Sequence, residues 1–198
     1  MTGRQQRADA QRNYERILEI ARTVVEEQGT QASLRDIARR AEVGMGTLYR
    51  HFPTREALLE ALLRQRFDNL AARAEKLEEA DDSHEALRQW LREFLRGASA
   101  YRGLTTSMMT TISDEDSPLH ASCSAMREAA GRLVERAQDD GHIRPDADGM
   151  DVFALISAVG WIAEQGPVVA ARREHLFSLV MDGLAAGAVS GRGRRSAD

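Results

Sequence analysis

Cysteine, proline and lysine are scarce in this 198-residue chain, and each scarcity narrows the possible classes of protein. Because Cys123 is the single cysteine, an intramolecular disulfide is excluded, as is usual for a protein in a reducing compartment. Only four prolines interrupt a sequence rich in alanine, leucine, arginine and glutamate, which favours helix. Lys76 is the one lysine among 27 basic residues; a GC-rich genome is the simplest explanation, although arginine also suits bidentate binding to phosphate and guanine.

Long apolar runs are also missing. No apolar stretch follows Met1 as it would in a signal peptide, and none reaches the roughly 20 residues of a membrane span, so we expect a soluble, cytoplasmic protein with no membrane partner. The net charge of −4 argues against a general nucleic-acid binder. Residues 1–60 hold ten arginines against nine acidic residues, so any DNA affinity must come from local placement of arginines.

Apolar residues recur at helical spacing, and no segment shows sustained alternation of period two, which predicts an all-α fold of about nine helices. A polar leader, residues 1–10, precedes the first amphipathic segment, which Gly29 should end. The pair Ser117-Pro118 indicates a helix start. The last two helices are expected at about 150–164 and 168–188, before a Gly-, Arg- and Ser-rich tail, 191–198, that predicts disorder.

Residues 33–52 have the pattern of two short helices joined by a tight, glycine-containing turn, as in a helix-turn-helix. Ser33 to Asp36 has the Ser-x-x-Asp form of a capping box, and Gly44 precedes the second helix. An ordinary helical hairpin is the structural alternative. Apolar side chains that could lock the two helices together are Leu34, Ile37, Ala38, Val43 and Leu48, while those that can face outward are Thr47, Tyr49, Arg50 and His51.

This segment resembles the N-terminal domain of TetR-type transcriptional regulators. The resemblance rests on Ile37-Ala38, on the run from Thr47 to Phe52 and on the run from Thr54 to Leu59. It implies a three-helix DNA-binding domain over residues 10–70, with the motif at 33–52, and a helical ligand-binding and dimerisation domain over 71–190. Gly44 departs from the serine or threonine cap common in the family, at a cost of only about a few tenths of a kcal/mol. The residues that match DNA-contacting positions are Ser33, Arg35, Met45, Gly46, Thr47, Tyr49, Arg50, His51 and Arg55.

Aromatic and methionine side chains in the C-terminal half could line an apolar ligand pocket, although each one alone is more typical of a core. The candidate pocket residues are Trp90, Phe94, Tyr101, Met108, Met109, Ile112, Met126, Phe153 and Trp161. Small residues among apolar ones on the last two helices predict a four-helix dimer interface. The candidate interface residues are Val152, Leu155, Ile156, Val159, Gly160, Ala163, Leu176, Leu179, Val180 and Gly183.

No catalytic motif stands out: the chain has no Gly-x-Ser-x-Gly, phosphate-binding loop or His-Glu-x-x-His. His120 and Cys123 lie near an acidic run, but the ligand count falls short of a metal site, so no metal or cofactor is expected. We therefore expect a homodimeric repressor that leaves a palindromic double-stranded operator when a small apolar effector binds. The alternatives are a DNA-binding regulator controlled by a partner protein, and a helical adaptor or enzyme.

Overall fold

The computed structural model describes residues 2–100, 108–163 and 165–187, and within these ranges the regular secondary structure is helical. The described residues form ten helices: α1 (Thr2–Gln28), α2 (Leu34–Arg40), α3 (Met45–His51), α4 (Arg55–Glu78), α5 (Ser83–Ala100), α6 (Met109–Ser113), α7 (Pro118–Asp139), α8 (Gly149–Ala163), α9 (Pro167–Ala170) and α10 (Arg173–Leu184). The predicted all-α fold is confirmed.

One compact unit comprises the described parts of residues 1–67 and 100–123. Its core forms where α1, α2, α3 and the first half of α4 bury their apolar faces, as the helical spacing of those residues requires. Gly29, at φ +76°, ends α1 as predicted, and its N–H donates to the carbonyl of Val25 at 2.8 Å. The buried side chains include Ile17, Leu18, Ala21, Val24, Val25, Ile37, Ala38, Leu48, Leu58 and Leu62.

The second unit comprises the described parts of residues 68–99 and 124–198. It contains the second half of α4, most of α5 and α7, and all of α8 to α10. The indole N–H of Trp90 donates to the carbonyl of Leu70 at 2.8 Å, which satisfies the polar atom of a fully buried ring. Other buried side chains of this unit include Leu87, Leu91, Leu133, Val134, Ile156, Phe177 and Met181.

Two predicted helix limits are wrong. The polar leader is already helical from Thr2, because its glutamine, arginine and alanine residues are good helix formers even without an apolar period. The helix expected over 168–188 is interrupted, since α9 ends at Ala170 and Arg172 has φ −97° and ψ 5°. Ala171 and Arg172 are not helix breakers, so local propensity does not account for this turn.

An isolated antiparallel β-bridge between Ile143 and Ala185 joins the end of α10 to the connection between α7 and α8. The N–H of Arg144 donates to the carbonyl of Leu184 at 2.8 Å, and that of Ala186 donates to the carbonyl of His142 at 3.0 Å. These bonds satisfy the last carbonyl of the helix, a group that helix ends otherwise leave to water.

Candidate nucleic-acid interface

The turn between α2 and α3 is held by two hydrogen bonds of the Schellman type. The N–H of Val43 donates to the carbonyl of Ala38 at 3.0 Å, and that of Glu42 donates to the carbonyl of Arg39 at 3.2 Å. The left-handed residue in this turn is Glu42, at φ 54°. Gly44 has φ −70° and stands at the N-cap of α3, where the sequence placed it, so the left-handed position of the turn belongs to another residue. The tight turn is therefore present, but a glutamate adopts its strained conformation.

Apolar side chains lock α2 and α3 against the rest of the unit, as predicted. Leu48 is fully buried on α3, and Ile37 and Ala38 are buried on α2. Leu34 and Val43 are half-buried at the edge of this contact. Since Leu48 points inward, helical geometry turns Gly46, Tyr49 and Arg50 outward, and all three are exposed.

The outward face of α3 carries an open position at Gly46 and two side chains, Tyr49 and Arg50, that can bind phosphate or base edges. Tyr49 is 48% exposed, although it is a large aromatic residue. A Cβ atom at Gly46 would meet no atom within 4 Å, so this part of the helix surface is open. Met45, Thr47 and His51 are half-buried beside it. The predicted contact residues of α3 thus lie on the accessible side of the helix or at its margin.

Ser33 and Asp36 organise the start of α2. The N–H of Asp36 donates to the Ser33 hydroxyl oxygen at 3.4 Å, which is the half of the predicted capping box that the structure shows. The Asp36 carboxylate accepts hydrogen bonds from Arg39 at 2.5 Å, from Arg40 at 3.0 Å and from Gln28 at 3.2 Å. The hydrogen bond from Arg39 is the main cause that lowers the pKa of Asp36.

Arg40 extends this network to α1. Its guanidinium lies 2.8 Å from the Glu27 carboxylate, and this hydrogen bond is the main cause that raises the pKa of Arg40. Arg35 and Arg39 are exposed on the same short helix. The end of α1 is thereby tied to α2, the helix that crosses the DNA backbone in a helix-turn-helix.

His51 is braced by aromatic contacts that the sequence did not predict. Its ring centroid lies 6.1 Å from that of Tyr14 in an edge-to-face arrangement, and Tyr14 stacks on Phe52 at 5.1 Å. Arg64 of α4 donates to the Tyr14 hydroxyl at 3.4 Å. The one available signal was the position of Tyr14 at the start of the apolar period of α1. Tyr14 of α1, which is itself held by Arg64 of α4, thus positions the His51 ring at the C-terminal end of α3.

Arg55, predicted to contact phosphate, also has an internal structural contact. Its Nη1 donates to the carbonyl of Ala32 at 2.5 Å and to that of Thr30 at 3.2 Å, and the residue is half-buried. Thr54 caps the same helix end, because its hydroxyl oxygen accepts the N–H of Ala57 at 3.0 Å. Arg55 therefore fastens the connection between α1 and α2, which no sequence signal indicated.

The candidate pocket residues are divided by the structure. Trp90, Phe94 and Phe153 form a continuous aromatic chain, with ring centroids 5.6 Å apart for the first pair and 4.9 Å for the second. Met126 is buried in the same unit, whereas Met108 and Ile112 are buried in the other one. Tyr101 and the side chain of Met109 lie outside the described residues. Trp161 is 62% exposed, so assigning it to the lining of an enclosed pocket does not fit its position.

A pocket of about 300 Å³ opens beside Phe153 and supplies an apolar wall with a few polar groups. It lies between α7 and the start of α8. The guanidinium of Arg127 stands over the Phe153 ring, 5.9 Å from its centroid. The lining residues are Ser124, Arg127, Glu128, Ala130, Gly149, Met150 and Phe153.

The predicted dimer face is wrong for one side of α8. This helix is apolar all round, so its composition alone did not show which side faces its own chain. The structure buries Val152, Ile156, Val159, Gly160 and Ala163 within the unit. Leu155, Leu179 and Gly183 are exposed, and Leu176 and Val180 are half-buried. An open groove of about 520 Å³ runs along this side, lined by Arg144, Asp146, Ala147, Asp151, Ala154, Leu155, Leu179, Val180, Gly183 and Leu184.

Other site types lack support in the described ranges. Across 2–100, 108–163 and 165–187, no group of three or more His, Cys, Asp or Glu side chains could hold a metal ion. Within the same residues, no helix is both long and apolar enough to cross a membrane. Cys123 is a buried thiol, and the ring Nδ1 of His120 lies 2.8 Å from the carbonyl oxygen of Ile112.

Comparisons with known proteins point to transcriptional regulators for both parts of the chain. The family model "Bacterial regulatory proteins, tetR family" matches residues 17–62, and "Transcriptional regulator SbtR-like, C-terminal domain" matches residues 82–186. The chain is 26% identical over 188 residues to the HTH-type transcriptional repressor KstR2 of Rhodococcus jostii, covering 85% of this chain and 89% of that protein.

Solved structures give the same answer at higher identity. The TetR transcriptional regulator SCO0520 of Streptomyces coelicolor has 36% identity and a TM-score of 0.70, covering 88% of this chain and 99% of its own. A TetR regulatory protein of Mycobacterium vanbaalenii has 32% identity and a TM-score of 0.65, covering 91% and 99%. With its helix-turn-helix geometry and both family matches, the chain belongs to the TetR family and is a DNA-binding transcriptional regulator rather than an enzyme.

Proposed function

We propose that the protein is a homodimeric repressor that inserts α3 into the major groove of a near-palindromic operator. The observation that carries this proposal is the outward face of α3, where Tyr49 and Arg50 are exposed on a helix fixed from below by buried Leu48. The repressor direction is supported by the similarity to KstR2, which is itself a transcriptional repressor.

Sequence reading by α3 rests on few side chains. Arg50 can donate two parallel hydrogen bonds to guanine, and Arg35 of α2 can reach phosphate or base edges. Met45 and Gly46 offer little hydrogen bonding, so the shape of the groove contributes to specificity as well. Ser33, Thr47, Tyr49, His51 and Arg55 are proposed to contact the backbone, with the unused N–H groups of Arg55 directed to phosphate.

The dimer is proposed to form through the exposed sides of α8 and α10. Leu155 and Leu179 are large apolar side chains left in solvent, and Gly183 lets a second helix approach closely. A twofold dimer carries two copies of α3, and helix-turn-helix dimers read two half-sites about one turn of DNA apart, which is why a near-palindromic operator is expected.

The effector is proposed to be a small, mainly apolar molecule that binds beside Phe153. The pocket there has a volume of about 300 Å³, at the lower end of the range for small-molecule sites. The ligand weakens operator binding if it binds more tightly to the conformation that is poor at reading DNA.

Operator binding tests the first part of the proposal. Fluorescence anisotropy is measured with an operator selected from a random duplex library. Tyr49→Ala should weaken binding to every selected duplex, and Arg55→Ala should also flatten the slope of log affinity against log salt by about one unit. Arg132→Ala is the matched control, since it removes an arginine in α7 that pairs with Glu78. Unchanged affinity in both test variants would overturn the assignment of this surface to DNA.

Nile red, an apolar fluorescent probe, tests the effector site. We expect saturable binding that Phe153→Trp, which enlarges the side chain in the pocket, reduces by at least tenfold. Absence of saturable binding would contradict the small-molecule proposal and favour control by a partner protein. That result would leave the DNA-binding assignment unchanged, because the two measurements use different surfaces.

A further inference from the structure

A stripe of arginines runs along one side of α5. Arg88, Arg92 and Arg96 are spaced four residues apart, which places them on one face of the helix. The guanidinium carbons of Arg88 and Arg92 lie 5.6 and 5.1 Å from the centroid of the same ring, that of Phe177 in α10. Phe177 is fully buried. Attraction to the ring holds both cations, while their mutual repulsion opposes this arrangement.

α10 adds positive charge to the same place. Arg92 donates to the Glu174 carboxylate at 2.8 Å, and both Arg88 and Arg92 lie over the Phe177 ring, so α5 and α10 meet through Glu174 and Phe177. Arg173 is the neighbour of Glu174 in the sequence and lies one helical turn before Phe177, on the same side of α10. Among the residues that the structure describes, Glu174 is the carboxylate that forms an ion pair with the stripe. Four arginines against one paired carboxylate leave an excess of positive charge among these side chains, in a chain whose net charge is −4.

Arg173 and the start of α10 have hydrogen-bond donors with no acceptor. The Nε of Arg173 is buried and has no hydrogen-bond partner. Arg172, at the N-cap, makes no side-chain capping bond, so the first N–H groups of this 12-residue helix are left without a side-chain acceptor. Buried donors in native structures are nearly always paired, with protein, water or a bound ion, and an anion at this position would supply an acceptor that Arg173 lacks within the chain. The positive end of the helix dipole favours an anion at the same position.

We propose that the surface formed by Arg88, Arg92, Arg96 and Arg173 binds a small anion that carries a phosphate or diphosphate group. Guanidinium groups bind phosphoryl oxygens in a bidentate manner, and a doubly charged anion would offset the repulsion between neighbouring arginines. The site shares no residue with the lining of the pocket beside Phe153, and it does not depend on the proposed function in DNA binding.

Titration calorimetry with sodium pyrophosphate tests this site on the full-length protein without DNA, at an ionic strength fixed with sodium chloride. We expect one saturable site per chain with submillimolar affinity. Arg88→Met and Arg173→Met should each weaken binding at least tenfold, because each removes a charge while keeping an apolar stem. Arg132→Met, which removes an arginine in the same unit, should bind like the wild type.

Three outcomes would overturn the proposal: no saturable heat, an equal loss in Arg132→Met, or equal affinity for citrate, which carries carboxylates only. Thermal melts without anion check that the variants fold. If Arg88→Met or Arg173→Met fails that check, Arg96→Gln replaces it, because Arg96 is exposed and carries little of the fold. Arg96→Gln should still weaken pyrophosphate binding severalfold, and unchanged binding would also contradict the proposal.

Discussion

Arg55 donates from its guanidinium to the carbonyl oxygen of Ala32 at 2.5 Å, so the first residue of α4 holds the connection between α1 and α2. We expect Arg55→Ala to lower the free energy of unfolding by about 1–2 kcal/mol, since a charged donor to half-buried carbonyls is lost. Urea denaturation measures this change. Arg22→Ala, which breaks an exposed pair with Glu26, should cost less than about 0.5 kcal/mol. Equal losses in both variants would contradict a special role for Arg55.

Glu42 offers a stabilising substitution. Because it adopts the left-handed conformation at φ 54°, Glu42→Gly should raise the free energy of unfolding by about 1 kcal/mol. Glu42→Asn should give a smaller gain, and Glu42→Val should destabilise, since a β-branched residue tolerates this conformation least. Thermal unfolding of the three variants checks the order. A Val variant as stable as the Gly variant would mean that the turn is not strained.

Asp36 makes stability depend on pH. Its pKa is lowered in the folded state, chiefly by the hydrogen bond from Arg39, so it stabilises the fold above its unfolded pKa near 3.9. That contribution is lost as pH falls through the lowered folded value. The urea midpoint of Asp36→Asn should therefore lie below that of the wild type at pH 6, and the gap should narrow as pH falls below about 4. A gap that stays constant down to pH 3 would show that the carboxylate charge is not responsible.

The two tryptophans report on separate environments. Trp90 is fully buried and Trp161 is 62% exposed. In dilute solution, acrylamide should strongly quench the fluorescence of Trp90→Phe, whose remaining tryptophan is the exposed Trp161. It should only weakly quench the fluorescence of Trp161→Phe, whose remaining tryptophan is the buried Trp90. Raising the protein concentration should protect Trp161 from acrylamide quenching if the proposed interface on α8 covers it. Sedimentation velocity on the same samples relates quenching to the oligomeric state, and a dimer with fully quenched Trp161 would place the interface elsewhere.

Local chemistry made part of the structure predictable. Gly29 ends α1, and Ser117 and Pro118 start α7, where the N–H of Leu119 donates to the Ser117 hydroxyl oxygen at 3.1 Å. Leu48 is buried because helical spacing alone decides which side of a short amphipathic helix is apolar. These features depend on residues close together in the sequence.

Contacts between distant residues were not predictable in the same way. Arg55 meets Ala32 across 23 positions, and Tyr14 braces His51 from another helix. α8 is apolar on every side, so its composition could not separate buried Ile156 from exposed Leu155. In each case the contact depends on how different helices pack together, and the apolar periodicity of a single helix does not indicate that packing.

Gly46 is a position where substitution could change operator preference without disturbing the fold. A Cβ atom placed there meets no atom within 4 Å, and glycine is a poor helix former, so most replacements should leave α3 intact or strengthen it. If α3 enters the major groove as proposed, new side chains at this position would face the DNA. Operator preference can therefore drift during evolution through substitutions that the protein's own folding does not select against.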